Sequence, residues 1–393
     1  MKPLPSSVSP LASVATIDPG ASAIATAPNS RSNLAVRCSD IAASKSPRRE
    51  HTVVLDPLTH PGWDSLVAGH SETSFFHGRA WARVLQESYG HRPFYFCRLV
   101  NGELEELLPV MEVSSPWTGR RGVSLPFTDF CGLLRTRDVD GARLHNMALE
   151  KGPERNWRYL ECRTRRHEWP GSSPALVFYG HSIALDRGRQ TLFNGFKSAT
   201  QRNVRRAEAS GLQIAFDNSQ ESMRDFYWLH NLTRRRHGVP PQGFRFFEYI
   251  RRHVLEPGHG FIVTVRTGKL PVAAAVYFCH GRQAIFKFGA SNYAFQHLRP
   301  NNLVMWEAIK RLAADGFTSL HLGRTSLANE GLRRYKLAFG AREEKIEYCR
   351  YDFLKRAFTG ASRPAGETSS RVFHWLPLPL LRLAGRLLYS HLC

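Results

Sequence analysis

Acidic residues are scarce in this chain: 33 Asp and Glu stand against 54 Lys and Arg in 393 residues, a net charge of +21. A positive surplus of that size predicts anionic partners, such as nucleic acid, phosphorylated donors or an anionic lipid surface, without choosing among them. No uninterrupted apolar run reaches the ~20 residues that a bilayer-crossing helix needs. With 42% hydrophobic and 22% charged residues, the composition is globular and excludes both wholesale disorder and a polytopic membrane protein. Cysteine is also sparse. The seven cysteines are scattered, with no C-x-x-C pair, which excludes a zinc ribbon and a disulfide scaffold. The 17 histidines contain no H-E-x-x-H, so a metal hydrolase has no support and no metal is expected. Familiar phosphate and nucleophile signatures are absent too. Gly258-His259-Gly260 lacks the third glycine of a dinucleotide loop, and Gly195-Phe196-Lys197-Ser198 lacks the Gly-Lys step of a phosphate loop. Gly180-His181-Ser182-Ile183-Ala184 lacks the closing glycine of a nucleophile elbow.

What is present divides the chain into four. Residues 1–50 are rich in Ser, Ala and Pro with no aromatic residue and no period, and they read as a disordered tail. Prolines interrupt every candidate secretory run, and the Ser/Ala/Arg bias fits an organellar transit peptide better. Residues 51–185 alternate strand and helix signals. Strands are expected at 52–55, 94–100, 104–113, 157–162 and 175–185, a helix at 78–89, and a hairpin at Asn101-Gly102, where both residues tolerate positive φ. Residues 186–354 open with a basic helix over 191–211 and two helices near 221–236 and 244–255. A strand meander (261–265, 271–279, 284–290), a helix over 303–314 and strands at 319–323 and 346–353 follow. Each half therefore mixes an antiparallel meander with packed helices, an α+β pattern.

Residues 355–393 form a linker and a C-terminal amphipathic helix. Leu380, Leu383, Ala384, Leu387 and Leu388 share one helical face, Arg382 and Arg386 lie off it, and no acid follows Glu367. Such a segment either lies in a membrane interface or packs on the protein's own core.

The second half orders its elements as GNAT acyltransferases do around their donor site: a meander, then a polar loop (Gln296-His297-Leu298-Arg299-Pro300-Asn301-Asn302), a helix and a strand. The loop would offer N–H groups at a helix N-terminus to a phosphate while a splayed central strand (271–279) receives the acyl chain. Arg299, Asn301 and Asn302 stand where such loops usually carry glycine, a departure from ordinary coenzyme A loops.

Several ordered blocks narrow the likeness. They are Phe75-Phe76-His77 with Trp81, Tyr89-Gly90-His91-Arg92-Pro93, the run from Ser124 through Asp129 to Gly132, Arg202 to Glu208, Arg299-Pro300-Asn301-Asn302, and Leu322-Gly323-Arg324 leading to Tyr335-Lys336-Leu337-Ala338-Phe339-Gly340. Together, over residues 51–353, they resemble the FemAB-like branch of the GNAT superfamily, in particular members associated with exopolysaccharide biosynthesis. The resemblance implies two tandem GNAT-like domains (51–185 and 186–354, the second binding the donor) sharing a cleft. It also implies transfer of an acyl or aminoacyl group to an amine of a cell-envelope or exopolysaccharide precursor. The donor would be acyl-CoA or aminoacyl-tRNA with no tightly bound cofactor, and the setting cytoplasmic, with peripheral membrane contact through residues 372–393. Two other readings stay open: an acetyl-CoA-dependent N-acetyltransferase of an amino sugar, and a non-catalytic RNA- or lipid-binding module.

On the same resemblance, Lys336 occupies the family's lysine position facing the donor phosphate or the developing oxyanion, where an exposed cleft lysine would act. Tyr335 is placed to protonate a leaving group. Three expectations come from the residues themselves. Asp129, between aromatics after a proline turn, would have its pKa raised by burial and act as a base, or simply cap the turn. Arg324, just past a strand ending in Gly323, would face ligand or form a structural salt bridge. Arg202, Arg205 and Arg206, at helical neighbour spacing with Lys197, would follow phosphates or form a solvated face.

Overall fold

A computed structural model gives the fold and describes residues 49–391 other than 71, 136–141, 165–168, 170 and 361–370. The expected tail therefore lies outside the described residues up to position 48, as does most of the linker before the last helices.

The first half runs β1 (Glu50–Leu55), α1 (Trp63–Ala68), α2 (Arg79–Tyr89), β2 (Arg92–Val100), β3 (Glu103–Ser115), β4 (Gly119–Val123), β5 (Leu134–Arg135), α3 (Ala142–Glu154), β6 (Trp157–Thr164) and β7 (Pro174–Ala184). The β2–β3 hairpin turns at Asn101 and Gly102, both at positive φ (53° and 87°) as that dipeptide favours. Gly90, at φ 72°, closes α2 in the left-handed region.

The second half runs α4 (Arg189–Asn194), α5 (Ser198–Glu208), β8 (Gln213–Phe216), α6 (Gln220–Arg236), α7 (Phe244–Ile250), β9 (Gly260–Thr267), β10 (Leu270–His280), β11 (Gln283–Ser291), α8 (Pro300–Ala314), β12 (Ser319–Ser326), α9 (Glu330–Leu337), β13 (Arg342–Asp352) and β14 (Ala357–Phe358). The single basic helix expected over 191–211 is two helices. Phe196 turns into the core between α4 and α5, and extended Lys197 donates its backbone N–H to the Ala338 carbonyl. The C-terminal segment likewise breaks at Pro377 into α10 (Arg371–Trp375) and α11 (Leu378–Leu388).

One sheet carries both halves. From one edge β1-β2-β3-β4-β6 run inward, and from the other β8-β9-β10-β11-β12 do the same. Between them the last strand of each half has crossed over: β13 pairs with β6, β7 with β12, and the two with each other. The order is thus a repeat with exchanged ends, and in each half one pair is parallel, β4·β6 and β11·β12. This is the tandem α+β architecture. On one face of the second-half strands, α6, α7 and α2 bury Phe246, Phe247, Trp81 and Phe278. On the other, α4, α5 and α8 bury Phe196, Trp306 and Tyr277.

Candidate active site

The two strands of the β11·β12 pair part company. They are in register only at Gln283↔Ser319, Ala284↔Leu320 and Ile285↔His321, and beyond that they diverge. Each has a bulge at the point of separation. On β11, Val276 faces Phe288 and Tyr277 faces Phe286, leaving Lys287 as the extra residue. On β12 the pairing with β7 skips from His321 to Arg324, and Gly323 takes φ +73°. Bulges bend strands and re-aim side chains. It is therefore β11 and β12 that open, whereas the central strand β10 stays paired on both edges.

A loop of the first half enters this opening. Leu125 and Phe127 both sit at φ 58° around Pro126, a conformation costing non-glycine residues roughly 1–2 kcal/mol each. That turn presents Asp129. Its Oδ2 accepts from Lys287 Nζ on β11 at 3.1 Å, and its Oδ1 accepts from the Arg324 backbone N–H on β12 at 3.2 Å. One carboxylate thus bridges the parted strands. Burial works to raise the Asp129 carboxyl, but Lys287, His321 and Arg324 overcome it and hold it well below the usual carboxylate range. This is opposite in direction to the raised pKa expected of a base. Lys287 is itself buried, its Nζ 5.2 Å from the Phe76 ring centroid and 5.5 Å from that of Phe288. Tyr348 completes the tie, accepting from Arg324 Nη1 (2.7 Å) and donating to the Asp129 carbonyl (2.8 Å). The Arg324 guanidinium lies 4.4 Å from the Phe178 ring centroid with the residue exposed, so this arginine is anchored yet open to solvent.

Lys336, on α9, is buried rather than exposed, with 3% of its surface accessible. Its ammonium donates to the carbonyls of Gly323 (2.9 Å) and Arg324 (3.0 Å), on the bulge of β12. An ammonium has three donors, so one N–H is left over from these two bonds. Burial draws its pKa down to about 8, with Asp129 opposing and Arg324 adding to the fall.

At the far end of the opening, α8 begins. Arg299 precedes it at φ 59° and Pro300 takes the first helical position, pre-set for the helix and lacking an N–H there. The Tyr335 hydroxyl, expected to protonate a leaving group, donates to the Asn301 carbonyl at 3.1 Å, and burial raises its pKa. Asn301 Nδ2 donates to Ser291 Oγ, Asn302 is buried, and Arg299 is exposed. Asp129, Arg324 and Lys336 therefore form one cluster, and Arg299, Asn301, Asn302 and Tyr335 another at the helix start. Arg202, Arg205 and Arg206 join neither. They are exposed on α5, which packs against α8 on the sheet face away from α6 and α7, and Arg205 lies over the Phe193 ring.

Lys287 was not among the expected residues. Its signal in the sequence is a lone cation between Phe286 and Phe288 in an otherwise apolar strand.

The acetyltransferase (GNAT) domain family matches residues 195–337, which hold α5 through α9 and the parted strands. This stretch is a GNAT domain. Among solved structures, FemX is 12% identical with a TM-score of 0.59, covering 76% of this chain and 96% of its own. A conserved protein of unknown function from Bacteroides thetaiotaomicron VPI-5482 is 10% identical with a TM-score of 0.50, covering 76% and 99%. A tandem GNAT protein from the clavulanic acid biosynthesis pathway is 11% identical with a TM-score of 0.49, covering 78% and 99%. No curated protein matches. The fold agrees with the FemAB-like resemblance of the sequence, and the half that holds the parted strands matches an acetyltransferase (GNAT) domain.

Proposed function

We propose that this acyltransferase forms an amide on an amine of a cell-envelope or exopolysaccharide precursor, drawing the acyl or aminoacyl group from acyl-CoA or aminoacyl-tRNA. The observation that carries the reading is the opening between β11 and β12, with Lys336, Arg324 and the Lys287–Asp129 pair at one end and the α8 N-terminus at the other. In it the donor phosphate meets Arg299, Asn301 and the first turn of α8. Residues 51–185 and 186–354 act as the two domains, the second holding the donor.

The acceptor nitrogen attacks the acyl carbon, the C–N bond forms, and the C–S bond of a thioester or the C–O bond of an aminoacyl ester breaks. The ammonium proton passes to solvent and the leaving thiolate or hydroxyl oxygen takes one back, with no change of oxidation state. The Lys336 ammonium stabilises the oxyanion that exists only between these events. Asp129, held anionic, fixes Lys287 and the Arg324 amide in place rather than taking the proton. The setting is the cytoplasmic side of the inner membrane, with peripheral contact through residues 372–393. Among the described residues no helix is long and apolar enough to cross a membrane.

The test is single-turnover transfer by the full chain from radiolabelled acetyl-CoA and from aminoacyl-tRNA to amino sugars and muropeptide precursors, read by mass spectrometry. Amide product that disappears in Lys336→Met supports the reading. Turnover retained by that variant would sink the assignment of Lys336.

A further inference from the structure

The C-terminal helices pose a question that the transferase site does not absorb. α11 is locked to the fold by one face: Leu381 is fully buried, and Gly385 approaches the Pro241 backbone so closely that a Cβ would overlap its carbonyl. Tyr389 Oη donates to the Pro240 carbonyl at 3.2 Å and accepts from Arg234 at 2.5 Å, and Arg121 donates to the His391 carbonyl at 2.7 Å. The helix is therefore part of the core's cover. Its other apolar stripe points away. Leu380, Leu383 and Leu387 are 52–55% exposed, and Val372 and Trp375, on α10, are 64% and 87% exposed. Five large apolar side chains exposed on one short segment exceed the scattered exposure normal for a surface.

A hollow of about 320 Å³ opens beside α10, lined by Arg235 and Arg236 at the end of α6, by Ser291, Asn292 and Tyr293, and by His374 of α10. The charge here is of one sign. Arg234 and His237 flank Arg235 and Arg236 in the chain, the positive charges of Arg236, Arg234 and His374 all bear on His237, and Arg386 is exposed on α11. Like charges gathered without counter-charge destabilise the fold unless an anion joins them. An occupant must therefore offer an apolar slab edged with negative charge, which is the profile of an anionic bilayer interface. A second copy fits less well, since stable dimers draw on roughly 20–30 residues a side and would set these arginines against one another.

We propose that α10 and α11 form a membrane-docking face, in which the leucine and tryptophan stripe enters an anionic phospholipid interface and the Arg235–Arg236–His374 hollow receives a lipid phosphate. The inference rests on the membrane setting of the proposed function. Vesicle binding is read without turnover, so loss of docking and loss of transfer are separate results.

The experiment is flotation of the full chain with vesicles of phosphatidylcholine alone and of phosphatidylcholine mixed with phosphatidylglycerol, at low and high salt. Binding should need the anionic lipid and fall about tenfold in high salt. The triple variant L380S/L383S/L387S should lose at least tenfold in binding, as should R235Q/R236Q. Both alter exposed or half-exposed positions, so melting temperatures should stay within a few degrees of the parent. Equal flotation of the triple variant would overturn the proposal. So would light scattering that shows a dimer converted to monomer by the three serines, since the stripe would then cover a second copy. If R235Q/R236Q abolishes binding of inorganic pyrophosphate or coenzyme A while vesicle binding is unchanged, the hollow serves a soluble phosphate and the lipid assignment is wrong.

Discussion

The two parallel strand pairs occupy equivalent places in the two halves and end differently. After β4 and β6 pair at Val123↔Glu161, the chain keeps them joined: the Ser124 amide donates to the Glu161 carbonyl at 2.7 Å and Ser124 Oγ accepts from the Arg163 amide at 2.8 Å. The charge inside this seam is closed as well. Glu161 is buried with one oxygen on Arg163 and the other on Arg350, which hold its carboxyl down against burial. In the β11·β12 pair the ladder stops, two bulges hold it open, and a carboxylate from the other half bridges the gap. One strand layout thus gives a scaffold where the ladder continues and a site where it is interrupted.

The strongest way to break that comparison is to attack the closed seam. Glu161→Gln should cost about 3–5 kcal/mol, because Arg163 and Arg350 keep their charge without a counter-ion. Urea midpoints would report this, and activity per folded molecule should be unchanged. Lys336→Met should do the reverse, lowering kcat by about 10²–10³-fold, the size of losing one oxyanion donor. It should also cost roughly 1–3 kcal/mol of stability, since the Gly323 and Arg324 carbonyls lose a buried donor. A stability loss with full activity would make the open site a second scaffold.

Acidity probes both halves. With Lys336 drawn down to about 8 and required as a cation, kcat/KM should fall tenfold per pH unit above that value, and Lys336→Arg should move the limb to higher pH. Over the window from about 8 to 10.5 the unfolded chain alone still binds this proton, so the fold gains relative stability as pH rises there. At the acid end buried histidines of both halves respond, His77 in the first and His230 in the second. Burial holds His77 neutral with a pKa of about 4, so between 6.5 and 4 only the unfolded chain takes up that proton. Stability from this group is complete above 6.5 and falls by up to about 1.4 kcal/mol per pH unit as pH drops towards 4. Chemical denaturation across pH 4–7, with and without His77→Phe, measures it.

Much of the secondary structure was legible because its causes are local. Asn101-Gly102 specifies its turn by two left-handed residues, Gly90 ends a helix, and short apolar runs bounded by glycine turns announce β9, β10 and β11 within their own spans. The family blocks contain Lys336, Arg324 and Asp129, which the fold gathers.

The sequence by itself could not decide what those residues do there. The ionisation of Asp129 depends on Lys287, 158 positions away, and on a bulge whose register is set by β10 rather than by the residues of β11. The burial of Lys336 follows from packing α9 on the bulged end of β12, and the exchange of β7 and β13 from pairing between halves. Periodicity and turn chemistry act over a few residues and so are written in the chain. Charge compensation and strand separation are set by groups brought together from distant positions, and only the tertiary structure fixes their distances.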